Sequence, residues 1–322
     1  MVRRNHTIIG FATIFFVFVL LPLFTRRCED TNEESLKSHS SRKFTKPSSE
    51  KWNQTSDEKL DSRSTDCSVR LADPDTFPLV PLISPPGAGS TWLRHLIEQA
   101  TGFYTGSVFD DKGLYGGGFL GEYEDYRAGN TLTVKVHNVK RLSKFCKAAI
   151  LLLRNPIDIV IAEKNRQSAD GHLGEATWRK DSRTDEDWNQ FAYTEFERYE
   201  RIVNDFSNLT VPTLIVHYEN IKNDSLTEVK RIVDFLNMTV NEERKICAEN
   251  NGEGHFHRHK SDAKTPYKTF TDEMICDALA LMEKASKLIA EKGHQPLPCL
   301  QDHPVSNCYS VSKTLSSVKH CA

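Results

Sequence analysis

The chain has 322 residues, 38% of them hydrophobic and 27% charged, which is ample apolar material for one large core. Its 42 basic and 44 acidic side chains leave a net charge of −2, which excludes nucleic acid as a bulk electrostatic partner. Anions must therefore be bound at local sites.

In chain order, the first feature is an almost unbroken apolar run from Ile8 to Phe24, about 25 Å long as a helix. Residues 7–25 are expected to be a transmembrane signal anchor and residues 1–6 a cytoplasmic tail. The bulky Leu-Pro-Leu-Phe-Thr-Arg-Arg-Cys after the run offers no small-residue cleavage site. Arg3, Arg4 and the amino terminus precede the run, whereas Glu29, Asp30, Glu33 and Glu34 crowd its far side. That asymmetry favours a type II orientation. Residues 26–75 are rich in Ser, Thr, Lys and Glu, cannot bury enough surface to fold, and are expected to form a disordered stem. Glycosylation sequons at Asn53, Asn208, Asn223 and Asn237, and cysteines at 28, 67, 146, 247, 276, 299, 308 and 321, fit an oxidising lumen. Eight cysteines permit 105 pairings, so connectivity stays open. Cys28, beside the expected anchor, could crosslink a homodimer.

A folded domain is expected over 76–298, with a cysteine-containing tail over 299–322. The apolar run Phe77 to Ile83 leads into Ser-Pro-Pro-Gly-Ala-Gly-Ser-Thr-Trp and then an amphipathic segment, which reads as strand, phosphate-binding turn and helix. Gly87 and Gly89 permit positive φ and close backbone approach, and Ser90 and Thr91 add hydroxyls. No Gly-Lys-Ser/Thr follows, so a Walker-type ATP or GTP site is not expected. Gly113 to Glu124, glycine-rich with Tyr115 and Phe119, is either an acceptor lip or a plain surface loop.

From Thr131 to His137 apolar and polar residues alternate with the period of a strand, placing Lys135 and His137 on one face. A lysine there can balance charge on a transferring group, and a neutral histidine can take a proton from a hydroxyl. Ala148 to Leu153 is an apolar run suited to a central parallel strand, with Arg154 at its carboxyl end. Asn155 is placed to cap the following helix, with Pro156 at its first position and Asp158 three residues after the cap. Further on, the pattern predicts helices over 187–206, 226–236 and 272–291 and a strand over 213–217. His255, His257 and His259 alternate with Arg258 and Lys260, a pattern that reads as a basic loop, and no metal is expected there.

These stretches, from about Phe77 to Pro298, resemble the sulfotransferases that use 3′-phosphoadenosine-5′-phosphosulfate (PAPS), above all the membrane-anchored, WSC-domain-containing group. The marks are the turn at Ser84, the Lys-Val-His element, Arg-Asn-Pro-Ile-Asp, His-Tyr-Glu-Asn, and Gly-Glu-Gly-His-Phe-His-Arg-His-Lys. The resemblance implies a P-loop-like, three-layer α/β fold with a central parallel sheet. It implies that Gly87, Ala88, Gly89, Ser90 and Thr91 hold the 5′-phosphosulfate, and that Trp92 and Tyr218 contact adenine. Arg154, with Arg258, would grip the 3′-phosphate, while His137 would be the general base with Lys135 beside it. Cytosolic members carry a lysine where this chain has Gly87 and a serine where it has Ala162, and no cysteine-rich WSC module precedes the domain. The expected activity is sulfuryl transfer from PAPS to a hydroxyl of a glycan, sialic acid among the candidates, in the Golgi lumen and without a metal. The alternatives are an inactive lumenal binding protein of the same fold and a kinase-like P-loop enzyme.

Overall fold

The sheet is assembled from the most apolar stretches of the chain. In the computed structural model, which describes residues 65–168, 186–254 and 269–297, β1 (Pro81–Ile83) and β4 (Ala149–Leu153) are buried along their whole length. That is the signature of strands covered on both faces. β3 (Val134–Val136) pairs with one side of β1, Leu82 opposite Lys135, and β4 pairs with the other, Leu82 opposite Ile150. The two-residue β2 (Gly106–Ser107) lies beyond β3, and β5 (Thr213–His217) beyond β4. Every pairing is parallel and the order is β2-β3-β1-β4-β5. The chain leaves β1 first towards β2 and later builds outwards through β4 to β5, so the strand order reverses beside β1. Ligands of open α/β sheets bind at the carboxyl edge of such a reversal.

α1 (Ser90–Thr101) follows β1 directly. A short α2 (Lys112–Gly116) and single 3₁₀ turns at Leu120–Tyr123 and Val139–Arg141 occupy the β2–β3 and β3–β4 connections. α3 (Pro156–Ser168) and α4 (Glu186–Ser207) lie between β4 and β5. After β5 come α5 (Tyr218–Asn223), α6 (Ser225–Phe235), α7 (Glu242–Asn250) and α8 (Asp272–Glu291). Parallel crossovers are right-handed, so connections running in opposite directions along the sheet put their helices on opposite faces. α1 and the α3–α4 pair therefore lie on opposite faces; α6 and α7 pack on α1, whereas α8 packs on α4 and α3. The result is the three-layer α/β arrangement expected. A second apolar cluster of Ile157, Val160, Trp188, Phe196 and Phe270 ties α3 to α4 and α8.

Local chemistry explains the element ends. Thr271 caps α8 by accepting from the Met274 N–H at 3.2 Å, and Asp224 caps α6 by accepting from Thr227. α7 and β2 were not anticipated. β2 is two residues long and carries no period, while Asn241, which accepts from Arg244, with Glu242 and Glu243 behind it, is a readable helix start.

Two expectations need correction. The stem was expected to reach residue 75, but 65–75 is built into the domain. Cys67 is disulfide-bonded to Cys247 on α7, Arg70 bridges to Phe103, and the Ala72 N–H donates to the Asn130 carbonyl at 3.0 Å. The expected single-pass Golgi membrane placement is also not sustained: among the described residues no helix is long and apolar enough to cross a membrane. The apolar run over 7–25 lies outside the described residues, as do Cys28, Asn53, Arg258 with its neighbouring histidines, and the 299–322 tail. Asn208, Asn223 and Asn237 are all exposed. Cys276 is also disulfide-bonded, and Cys146 is a buried free thiol.

The Cys67–Cys247 bridge closes a loop of 180 residues in sequence separation, so it restricts the unfolded chain strongly. Replacing both cysteines by serine is expected to lower stability by about 2–5 kcal/mol in denaturant melts. Reduction of the unaltered protein should lower Tm in the same direction, and an unchanged Tm would show that 65–75 is held by its backbone contacts alone.

Candidate active site

The turn from Ser84 to Gly89 crosses the carboxyl edge of β1. Gly87 has φ of 84° and Gly89, which opens α1, has φ of 95°. No side chain caps α1 and its first turn holds no acidic residue, so the positive end of the helix is not compensated by the helix's own side chains. Space as well as torsion demands these glycines. A Cβ on Gly87 would lie 2.6 Å from the Ile159 carbonyl oxygen of α3, and one on Gly89 would lie 2.8 Å from the Tyr218 ring. Ala88, between them, and Ser90, just after, are both buried.

Arg154 leaves the end of β4 and lies across this turn. Its Nη1 donates to the Gly87 carbonyl at 3.2 Å and its guanidinium carbon sits 4.2 Å from the centroid of the Tyr218 ring. Asp158 Oδ2 stands 3.8 Å from Nη2, while Nε is buried with no hydrogen-bond partner. An arginine with an unsatisfied buried nitrogen beside an uncapped helix start is a cationic recess shaped for an anion. Trp92 meets Tyr218 edge to face at 5.7 Å, and its indole N–H donates to the Gly252 carbonyl at 2.9 Å. The two rings thus form one aromatic wall next to the recess.

His137 stands just past β3, one strand away from the turn. Its Nδ1 lies 2.6 Å from the Ser84 carbonyl oxygen. A carbonyl can only accept, so Nδ1 carries the proton and Nε2 keeps its lone pair. Burial, with the charge of Lys135 second, pushes His137 down to about 3, so the ring is neutral at physiological pH. Lys135 is 6% exposed, and burial, followed by the charge of Arg94, lowers its ammonium to about 8. Both side chains face the Phe109 ring, at 4.9 Å for the His137 ring and 5.6 Å for Lys135 Nζ. The structure therefore gathers Gly87, Gly89, Ser90, Thr91, Trp92, Lys135, His137, Arg154 and Tyr218 along one sheet edge.

A hollow of about 600 Å³ lies elsewhere, between α1 and the chain that follows α7. Among the described residues its lining includes Glu98, Glu249 and Glu253 and holds no lysine or arginine. Its carboxylates disfavour a multiply charged anion, so the strand edge is the better anion site. Among the described residues no group of three or more His, Cys, Asp or Glu is placed to hold a metal ion.

Sequence reasoning overlooked Glu219. A capping box would have Asp158 reach back to the Asn155 N–H. Instead Glu219, in the first turn of α5 just past the neighbouring strand, accepts that N–H at 2.9 Å, while Asn155 Oδ1 accepts from Ile157. Glu219 thereby fixes the start of α3 and sets Arg154 against Tyr218, and Asp158 is left to face Arg154. The available signal was its position beside Tyr218 in His-Tyr-Glu-Asn.

Comparison with known proteins finds no matching family model. Several curated relatives match, among them WSCD family member CG9164 of Drosophila melanogaster, which at 39% identity over 186 residues covers 56% of this chain and 57% of the relative. WSCD family member GA21586 of Drosophila pseudoobscura pseudoobscura is 35% identical over 220 residues, 67% of this chain and 68% of the relative. WSCD family member AAEL009094 of Aedes aegypti is 37% identical over 186 residues, 56% of this chain and 57% of the relative. The chain thus spans little more than half the length of the first of them. Among solved structures, mouse sulfotransferase SULT7A1 complexed with PAP aligns at a TM-score of 0.42 and 16% identity, covering 67% of this chain and 89% of that one. At that distance the chemistry has to be argued from the site.

The Glu219 contact makes a clean comparison of variants. Glu219→Ala removes the acceptor for the Asn155 N–H and is expected to cost about 1–3 kcal/mol of stability, whereas Glu219→Gln keeps a carbonyl in its place and should cost less than about 1 kcal/mol. Equal losses in urea titrations would mean that the charge, and not the capping bond, is what matters.

Proposed function

The chain belongs to the WSCD family, and on that premise we propose that its 76–298 domain is a sulfotransferase, moving the sulfuryl group of PAPS to a hydroxyl of a glycan acceptor. The observation that carries the reading is the Arg154 guanidinium, with its buried, unpartnered Nε, set between the uncapped start of α1 and the Trp92–Tyr218 wall. A donor with an adenine, a 5′-phosphosulfate and a separate 3′-phosphate calls for those three features side by side. The Ser84–Gly89 turn and the first amides of α1 receive the 5′-phosphosulfate, with Ser90 and Thr91 adding hydroxyl donors. Trp92 and Tyr218 hold the adenine, and Arg154 pairs with the 3′-phosphate. Arg258, outside the described residues, is assigned a second contact to that phosphate.

The acceptor hydroxyl oxygen attacks sulfur in line, its proton passes to His137 Nε2, and the bond from sulfur to the 5′-phosphate oxygen breaks. The products are the sulfate ester and 3′-phosphoadenosine-5′-phosphate (PAP), and no oxidant or reductant enters. Charge that develops on the sulfuryl and leaving oxygens is met by Lys135 and the turn amides. His137 enters neutral because of its burial, and negative charge arriving with the sulfuryl group raises its basicity at the moment it is needed.

Transfer of labelled sulfate from PAPS to a panel of glycans tests the reading. His137→Ala is expected to lower kcat by roughly 10² to 10⁴ with PAP affinity unchanged. Wild-type turnover in that variant would show that another group takes the proton.

The pH dependence follows from the same two side chains. Lys135 is charged below about 8 and loses its proton above it, so kcat/KM, which reports the free enzyme, should fall as pH rises through about 8. No acid limb from His137 should appear between about pH 5 and 7, since its proton is gained near 3. Lys135→Ala should be slower and should lose the alkaline limb; a limb that survives in the variant belongs to a different group.

A further inference from the structure

The first turn of α3 carries a carboxylate with spare acceptor capacity at the donor recess. Three positions after an asparagine cap, an acidic side chain ordinarily reaches back to the cap N–H. Glu219 takes that N–H, at 2.9 Å from Asn155, so Asp158 is released from the backbone. Among the described residues the only polar contact of the Asp158 side chain is with Arg154, Oδ2 standing 3.8 Å from Nη2. That separation is too long for a hydrogen bond, and the side chain is 32% exposed, so its oxygens are open to a donor from a ligand.

Arg154 does not need Asp158 to aim it. Its guanidinium is already fixed by the Gly87 carbonyl at 3.2 Å and by the Tyr218 ring at 4.2 Å. Glu219 is the other carboxylate next to Arg154 in the chain's folding, but its Oε1 holds the Asn155 N–H and its Oε2 is buried. Asp158 is therefore the acceptor presented to a nucleotide lying across Arg154.

The chemistry of the ligand decides what such an acceptor reads. An ionised carboxylate only accepts, so its partner must donate. A ribose phosphorylated on its 3′ oxygen carries a free hydroxyl on the adjacent 2′ carbon. The nucleotide's other neutral donor, the adenine amino group, lies at the far end of the base. A 3′-phosphate held by Arg154 thus brings the 2′-hydroxyl to the neighbourhood of Asp158, where the bond it forms is charge-assisted. A phosphate moved to the 2′ oxygen would meet the same carboxylate as a like charge. Dinucleotide-binding folds use an acidic residue in this way on the ribose of their cofactor. We infer that Asp158 is a specificity-determining residue of the donor site, which accepts a hydrogen bond from the ribose 2′-hydroxyl of a 3′-phosphorylated nucleotide and rejects the 2′-phosphate isomer. The inference deepens the sulfotransferase reading and rests on its assignment of the 3′-phosphate to Arg154.

The test measures binding apart from turnover. PAP, its 2′-deoxy analogue and adenosine 2′,5′-bisphosphate are titrated calorimetrically against the full chain, unaltered and as Asp158→Ala and Asp158→Asn, with urea midpoints recorded for each variant to separate loss of fold from loss of contact. The unaltered protein is expected to bind PAP at least about tenfold more tightly than either the 2′-deoxy analogue or the 2′,5′ isomer. Asp158→Ala should bind PAP and the 2′-deoxy analogue equally, with its affinity for the analogue no lower than that of the unaltered protein. Asp158→Asn keeps a carbonyl acceptor without the charge, so it should retain part of the preference for the hydroxyl while binding the 2′,5′ isomer more tightly. A carboxylate that merely steadied Arg154 would, on removal, weaken PAP and the 2′-deoxy analogue alike, and that result overturns the inference. PAP binding with no 2′ preference in the unaltered protein also overturns it and leaves the donor reading standing, whereas failure to bind PAP at all defeats both.

Discussion

The closest approach in the site is between the turn after β1 and the first turns of α3. The Ile159 carbonyl and the Glu163 amide nitrogen stand so near Gly87 that no Cβ fits there. Because α3 starts from β4, the strand next to β1, this contact ties two neighbouring strand ends into one surface. Arg154 is delivered to the Gly87 carbonyl by the same geometry, Tyr218 packs against Gly89 and under Arg154, and Glu219 holds the start of α3. Each of these depends on a turn with no side chain on its inner side. A lysine at position 87 is therefore sterically excluded, and the missing turn cation reflects how closely α3 is packed.

That exclusion moves positive charge elsewhere. Lys135 lies in β3, beside β1, and its buried ammonium faces the same Phe109 ring as His137. Its lowered affinity for protons is the consequence of burial near Arg94, whose own charge is matched by Glu122. The same buried pair steadies the aromatic segment over His137. Charge balance in the core and the layout of the cleft are in this sense one problem, solved by one pair of residues drawn from α1 and the 3₁₀ turn.

Much of this was legible in the residues before the fold was known, for identifiable reasons. β4 and the helix over 272–291 were readable because an unbroken apolar run and a capped 3.6-residue period are local signals. The strand-edge positions of Gly87, His137 and Arg154 followed from strands ending where polar residues begin. What stayed hidden is long-range. Arg94 sits on an amphipathic helix where a guanidinium is ordinarily solvated, and its burial is made tolerable by Glu122, twenty-eight positions away, together with Thr105. Cys67 could not be matched to Cys247, so the stem was drawn too long by the residues the disulfide anchors. Phe109 follows a two-residue strand with no period, and its meeting with His137 depends on the β2–β3 pairing.

The central claim is that Arg154 recognises a phosphate on the ribose 3′ oxygen in a site that a plain adenine nucleotide cannot fill. Titration calorimetry of the full chain with PAP and with ADP, which differ in where the second phosphate sits, tests it most directly. The account predicts that PAP binds at least about thirty-fold more tightly, a difference of about 2 kcal/mol, and that Arg154→Ala removes most of that preference. Equal binding of the two nucleotides, or a preference for ADP, would contradict it.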